Sequence, residues 1–372
     1  MIVLDHVSKH YGEKLAVDKL SLEVKDGEVC VLIGPSGCGK TTTLRMVNRL
    51  VEPTSGRIFI NGEDASRVKP ERLRLSIGYA IQSVGLFPHL TVSQNIAVVP
   101  GLLHWDKRRS ERRVDELLTL VGLNSSAYAG QYPHQLSGGE AQRIGVARAL
   151  AADPPILLMD EPFGAVDPLT RMRLQEQFLR IQQEVKKTVI LVTHDLDEAI
   201  RLADRIAIMQ AGRLVQYDTP ETILSKPANR FVREFAGTDR ALKRLSRMSI
   251  KDHMKPAVSV SVDLPAKQAL AGRERYRWFW VVNGNSRLVG WADRADLLQS
   301  ATVKEAANLA DADDISLPEN ATLREALSRM LGLGFRYIPV TDRDRKLVGE
   351  VALSDIEVAT GEKEGQVDEG ST

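Results

Sequence analysis

The 372-residue sequence is poor in several features that would point to other kinds of protein. It has two cysteines, Cys30 and Cys38, too few for a disulfide framework or a zinc site. It has no excess of either charge: 50 Lys and Arg stand against 49 Asp and Glu, a net +1. That balance argues against a dedicated nucleic-acid binder, whose domain is normally strongly basic. No stretch approaches the roughly 18 apolar residues that a membrane-spanning helix needs. The N-terminus carries Asp5 and lacks a basic-then-apolar leader, so export is not expected. These absences lead to the expectation of a soluble, reduced, cytoplasmic chain. What is present is ordinary: 43% apolar and 27% charged residues, enough to bury cores. The length suggests two or three domains at about 100–200 residues each.

Along the chain, Val29-Cys30-Val31-Leu32-Ile33 is a short, fully apolar run ending in a Gly-rich turn, as a buried parallel strand does. Ile156-Leu157-Leu158-Met159, Val189-Ile190-Leu191-Val192 and Arg205-Ile206-Ala207-Ile208-Met209 read as further strands. Within residues 110–121, Val114, Leu117, Leu118 and Val121 fall on one helix face. Helical stretches lie between the strands, which predicts an α/β unit with a mainly parallel sheet.

The texture changes after about residue 236. Residues 239–255 hold Arg240, Lys243, Arg244, Arg247, Lys251 and Lys255 against Asp239 and Asp252, and read as a linker. The module beyond it is internally duplicated: Leu288-Val289-Gly290 recurs as Leu347-Val348-Gly349, 59 residues later. Each copy follows a strand (278–282; 337–341) and a polar turn, and precedes a short helix. Leu323, Ala326, Leu327, Met330 and Leu331 form a helical stripe with Thr322 placed as its N-cap. Residues 361–372 are Gly-rich and acidic, and are expected to be mobile.

Three segments carry chemistry. Gly34-Pro35-Ser36-Gly37-Cys38-Gly39-Lys40-Thr41 fits G-x-x-x-x-G-K-[ST] between a strand and a helical pattern (Thr42, Leu44, Met46, Val47, Leu50). Its glycines let consecutive N–H groups curl around phosphate oxygens, and the helix N-terminus adds partial positive charge. Lys40 is placed to reach the β and γ phosphates, and the Thr41 hydroxyl can ligate Mg²⁺. The second segment ends the strand 156–159 with Asp160 and Glu161, at the strand end where open α/β sheets bind ligands. Asp160 can hold Mg²⁺ through water, and Glu161 can accept a proton from an attacking water. The third is Leu136-Ser137-Gly138-Gly139-Glu140, continuing Ala141-Gln142-Arg143.

With these residues the sequence resembles the ATP-binding subunits of ABC transporters over residues 1–236. The resemblance implies a P-loop fold with a RecA-like core, an N-terminal antiparallel β subdomain and a helical subdomain at about 88–152. It implies ATP and Mg²⁺ as ligands. Gln82 matches the family's glutamine at Mg²⁺ and the attacking water, in a segment bordering the groove where a membrane subunit docks. His194 matches the switch histidine at the γ-phosphate, and Tyr11 the aromatic that stacks on adenine. Asp167 keeps the charge of a cross-dimer segment, although Gly164 stands where the family has Ser. Glu140 stands where the family has Gln, a departure expected to matter little because the phosphate contacts come from Ser137 and backbone. One phosphate loop and one Leu-Ser-Gly-Gly segment per chain then imply a head-to-tail homodimer with two composite sites.

Residues 77–90, 95–100 and 227–232 resemble the subgroup that imports glycine betaine, proline betaine, choline or carnitine, which often carries tandem α+β CBS repeats. Here those would be a linker and degenerate repeat over 237–302 and a second repeat over 303–360. The resemblance implies two membrane permeases, an extracytoplasmic solute-binding protein, and a place on the cytoplasmic face of the inner membrane. An ATPase for a different small solute is the alternative. The CBS pair could bind a nucleotide, serve only dimerisation, or sense ionic strength. Asp293 and Ala352 replace the Thr or Ser that commonly holds a ribose, leaving Asp296 and Asp355. For the sensor reading, the basic run with Arg273, Arg275 and Arg277 could contact anionic lipid at about 1 kcal/mol per charge. Screening shortens from about 10 Å to 3 Å between 0.1 M and 1 M salt, which would weaken such contacts.

Overall fold

The computed structural model describes residues 1–81, 85–164 and 167–360. The chain divides into two compact units at Gly237/Thr238. In the first, β1 (Ile2–Tyr11), β2 (Lys14–Val24), β4 (Ser55–Ile60) and β5 (Glu63–Asp64) form an antiparallel sheet in the order β2-β1-β4-β5. A second sheet has the order β10-β9-β3-β8-β7-β6, from β3 (Val29–Ile33), β6 (Ile77–Ala80), β7 (Ile156–Asp160), β8 (Thr188–Val192), β9 (Arg205–Gln210) and β10 (Arg213–Asp218). It is parallel except for the β9/β10 edge.

Every residue of β3, β7 and β8 is buried, because both faces of the sheet are covered. Val29, Val31 and Ile33 join one core, while Cys30 and Leu32 join the other. That is why these strands read as unbroken apolar runs rather than as alternation. The first core also takes Ile96 from helix Val92–Leu102, Leu117 and Leu118 from helix Lys107–Leu120, and Ile144 and Ala147 from helix Gly138–Leu150. The stripe expected within 110–121 sits on the second of these, with Val121 as its C-cap. The helix after the phosphate loop stops earlier than its pattern suggested. It spans Lys40–Val47, Arg49 turns the chain at φ 47°, and Leu50 lies outside.

The second unit repeats one design twice. β11 (Ser259–Ser261) pairs parallel with β12 (Trp278–Val282), which pairs antiparallel with β13 (Leu288–Asp293) and through it β14 (Asn308–Leu309). β15 (Leu317–Pro318), β16 (Tyr337–Thr341) and β17 (Leu347–Ala352) follow the same plan. The recurring glycine has a steric reason. A Cβ on Gly290 would lie 2.2 Å from the Asn308 carbonyl, and one on Gly349 3.0 Å from the Lys255 carbonyl. Each repeat needs a bare backbone where another stretch of main chain comes close.

The run 239–255 is more than a linker. It contains helix Arg240–Leu245, and Leu245 and Ile250 are buried in the core beneath β16 and β17. Thr322 caps helix Leu323–Leu333 in a reciprocal box with Glu325. Leu331, expected in its apolar stripe, is 75% exposed. The acidic tail 361–372 falls outside the described residues.

Candidate functional site

The phosphate loop leaves the C-terminal end of β3, beside those of β7 and β8. Leu32 and Asp160 both pair with Val192, so three strand ends converge on one edge. The loop's glycines are obligatory where the backbone crowds. A Cβ on Gly34 (φ 151°) would sit 2.1 Å from the Met209 carbonyl, and one on Gly39 (φ 105°) 2.6 Å from that of Ala16. Pro35, Ser36 and Gly37 form the exposed crown. Cys38 turns its thiol inward, 3% exposed, where the sulfur accepts from the Lys40 ammonium at 3.8 Å; its N–H donates to Pro35 O at 3.2 Å.

Lys40 is buried, its ammonium donating to Gly34 O at 2.7 Å and Pro35 O at 3.1 Å. Thr41 donates to Asp160 Oδ1 at 3.1 Å. Thr42 stands on the same first helical turn, half-buried. Burial pushes the Asp160 carboxyl above its ordinary range, against the Thr41 hydrogen bond that favours its charge. Thr41 and Asp160 thus form a hard-oxygen pair of the kind Mg²⁺ takes. Among the described residues no group of three His, Cys, Asp or Glu forms a metal cluster.

Glu161 is held in the left-handed region, φ 48°. Its N–H donates to Val192 O at 2.9 Å, and its carbonyl receives the Gly164 N–H at 3.2 Å and the Gln142 side-chain amide at 3.1 Å. Such a conformation costs about 1–2 kcal/mol for a non-glycine residue and persists where the surroundings impose it. Its carboxylate lies 3.3 Å from His194 Nδ1, and the imidazole is largely exposed. Behind His194, Asp195 caps helix Leu196–Leu202, and Arg171 spans from Phe163 O (3.2 Å) to the Asp195 carboxylate (3.9 Å). A Cβ on Gly164 would meet Glu161 atoms no closer than 3.5 Å, so the missing serine there is not forced by space.

Ser137 is the N-cap of helix Gly138–Leu150, with Gly138 and Gly139 as its first two residues. Its hydroxyl and N–H both bond to the Glu140 carboxylate, each at 2.8 Å. Asp167 caps helix Pro168–Val185 by accepting from Thr170 N at 3.0 Å, which holds its carboxyl below the usual range. Tyr11 ends β1 with its ring 48% exposed and the Lys9 ammonium 5.1 Å from the ring centre. Gln82 lies outside the described residues. Within one chain the fold therefore gathers Lys40, Thr41, Asp160, Glu161 and His194, while Ser137 stands on a separate helix whose cap faces its own Glu140.

Residues 17–164 match the model of the ABC transporter family, and residues 303–359 that of the CBS domain. The chain is 46% identical over 364 residues to the glycine betaine/carnitine/choline transport ATP-binding protein OpuCA of Bacillus subtilis, covering 96% of this chain and 95% of that protein. The chain belongs to the ABC transporter family. It is also 44% identical over 361 residues to the osmoprotectant import ATP-binding protein OsmV of Salmonella typhimurium, covering 95% of this chain and 94% of that protein. A solved dimer of the ATP-binding cassette MJ0796, in a post-hydrolysis state with ADP and Pi, superposes with TM-score 0.55 at 32% identity. It covers 59% of this chain and 98% of that one.

As a member of this family the chain is an ATP-hydrolysing transporter subunit. Sequence reading missed four groups in this ABC ATPase. Gln142 anchors Glu161, Tyr128 donates to Glu140 at 2.6 Å, and Arg171 ties two site loops together. Asn95, fully buried, accepts from Phe87 N at 2.8 Å and donates to the carbonyls of Phe87, Leu90 and Thr91. The only trace of Asn95 or Gln142 in the sequence is a polar residue on an otherwise apolar helix face.

Proposed function

We propose that the chain is the ATPase subunit of an importer for glycine betaine or a related quaternary amine. The observation that carries this is 46% identity to a glycine betaine/carnitine/choline transport protein through both units, the CBS region included. Two copies pair head to tail, each ATP lying between Lys40 of one copy and Ser137, Gly138 and Gly139 of the other. Converting an open pair from about 1:99 to 99:1 closed needs roughly 5.5 kcal/mol of differential binding. Charge-assisted bonds from two chains to one triphosphate are the source.

The crowding at Gly34 and Gly39 leaves the backbone of residues 34–39 as the phosphate cradle, and Tyr11 offers its ring to the adenine. Thr41 and Asp160, joined by Gln82, would hold Mg²⁺, which when bound neutralises charge on the phosphate oxygens. Glu161 takes the proton from the attacking water, and its imposed backbone aims the carboxylate before substrate arrives. His194 contacts the terminal phosphate, and Asp167 borders the second copy.

No described helix is long and apolar enough to cross a membrane, so transport calls for separate permeases. These dock beside the Gln82 segment, where Asn95 braces Phe87–Thr91 and Phe87 stays 42% exposed. An extracytoplasmic solute-binding protein completes the complex, with this chain on the cytoplasmic face. Uptake of radiolabelled glycine betaine, choline, carnitine and proline tests the reading. Cells carrying the chain and its permeases should accumulate a quaternary amine, and the Glu161→Gln variant should not. Uptake of none of these would overturn the solute assignment, whereas a Glu161→Gln variant at full ATPase rate would overturn the role of Glu161.

For the CBS pair, ionic-strength sensing through anionic lipid competes with a purely structural role. The structural reading is favoured by particular contacts: Asp355 is paired with Lys255, Lys243 with Asp239, and Asp293 caps its own helix. Deleting residues 241–372 from the reconstituted transporter and titrating salt separates the two, since unchanged salt activation would eliminate the sensor.

A further inference from the structure

The geometry points to Glu140 as a positioning residue that restrains Ser137 and so raises the nucleotide concentration needed to close the dimer. This rests on the reading that Ser137 completes a second copy's ATP site. A serine hydroxyl has one proton to donate. Here it goes to Glu140 Oε2 at 2.8 Å, and the Ser137 N–H reaches the same oxygen at 2.8 Å. The hydroxyl oxygen in turn accepts the Glu140 N–H at 3.3 Å. The other carboxylate oxygen accepts the Tyr128 hydroxyl at 2.6 Å. Tyr128 packs against the main core, so it fixes the carboxylate from behind. With both oxygens engaged, the hydrogen bond from Tyr128, followed by those from Ser137, holds the carboxyl below its ordinary range. It is therefore anionic at neutral pH.

Two consequences follow for a polyphosphate approaching this helix. The proton it needs from Ser137 is already given to a carboxylate, a stronger acceptor than a neutral oxygen. A full negative charge also stands beside the N–H groups meant for an anion, opposing the helix N-terminus. Glutamine would remove the charge while keeping the fold. Ser-x-x-Gln still closes a capping box, and its amide oxygen can still accept from Ser137 as Oε2 does here, but as a neutral and weaker acceptor. Glu140 thus acts as a brake that ATP must release, by turning the Ser137 hydroxyl away from it.

The test uses the full-length chain and ATP turnover measured against ATP concentration. Glu140→Gln should lower KM about three- to tenfold, the range of one charge-assisted bond exchanged for a neutral one. Its kcat should stay within about twofold and its Tm unchanged, because the capping box survives. In a Ser137→Ala background the same change should lower KM by a smaller factor, since only the charge and no hydroxyl is left to release. If Glu140→Gln leaves KM unmoved while Ser137→Ala raises it, Glu140 is only a helix cap and the composite site stands. If Ser137→Ala itself changes neither KM nor ATP-driven dimerisation, the composite site fails and takes this inference with it.

Discussion

Replacing Gln142 with leucine separates the aim of the Glu161 carboxylate, the proposed general base, from the stability of the core around it. Gln142 is 6% exposed, in an apolar recess with Leu157, Met159, Phe163 and Phe178. Its amide nitrogen donates to the Glu161 carbonyl at 3.1 Å, while its amide oxygen is buried with no partner among the described residues. Losing the bond costs about 1 kcal/mol, and removing an unsatisfied buried acceptor returns about 1–3 kcal/mol. The leucine fits the apolar lining, so net stability should change by less than about 1 kcal/mol, or rise. Tm should then stay within about 4 °C of the parent. Catalysis should behave differently. The Glu161 carbonyl keeps the Gly164 N–H but loses the donor that ties it to helix Gly138–Leu150. Its left-handed backbone becomes easier to relax, and a displacement near 1 Å can cost about 100-fold in rate. We expect kcat for ATP hydrolysis to fall about 10- to 100-fold with little change in KM. Thermal unfolding and steady-state turnover on one preparation decide the matter. A kcat within about twofold of the parent, or a Tm loss above about 8 °C, would refute the reasoning.

Asp160→Asn should abolish hydrolysis yet stabilise the nucleotide-free chain at neutral pH. Burial raises the folded carboxyl above its unfolded value, so the folded state binds the proton more readily and its stability falls as pH rises through the ordinary carboxylate range to that raised value. Asparagine removes this loss, so the Tm difference should vanish in acid; a pH-independent difference would count against it. Asn95→Ala strips both amide N–H donors and the bond accepted from Phe87 N out of a buried brace and should cost about 3 kcal/mol in urea unfolding. A cost below about 1 kcal/mol would mean that water replaces it. In the second unit, Gly290→Ala should lower its unfolding transition more than Gly349→Ala, since the added Cβ meets backbone at 2.2 Å rather than 3.0 Å and at positive φ. Equal effects would dissociate the recurring glycine from strand crowding.

Much of the site was legible because its parts are local. A phosphate loop needs glycines and a lysine within eight consecutive positions, and a strand end needs its two acids side by side. The same holds for the Thr322 cap, which bonds to Glu325 three residues on. Leu331 and Leu50 went astray because periodicity cannot tell which end of a stripe meets a partner, or where a residue such as Arg49 turns the chain. The bond from Tyr128 to Glu140 was not legible, because a partner twelve positions earlier leaves no local signal at either residue.

The sequence by itself determined the nucleotide chemistry, the mainly parallel character of the central sheet and the duplication of the C-terminal unit, since each is written in short-range spacing and burial pattern. Tertiary structure alone decided how the parts are aimed. Gln142 reaches Glu161 across nineteen positions, Arg171 bridges two site loops, and residues 245–250 complete a core lying about seventy positions downstream. Such couplings depend on which surfaces meet in space, and burial makes them specific because an unpaired polar group away from water is costly wherever it sits.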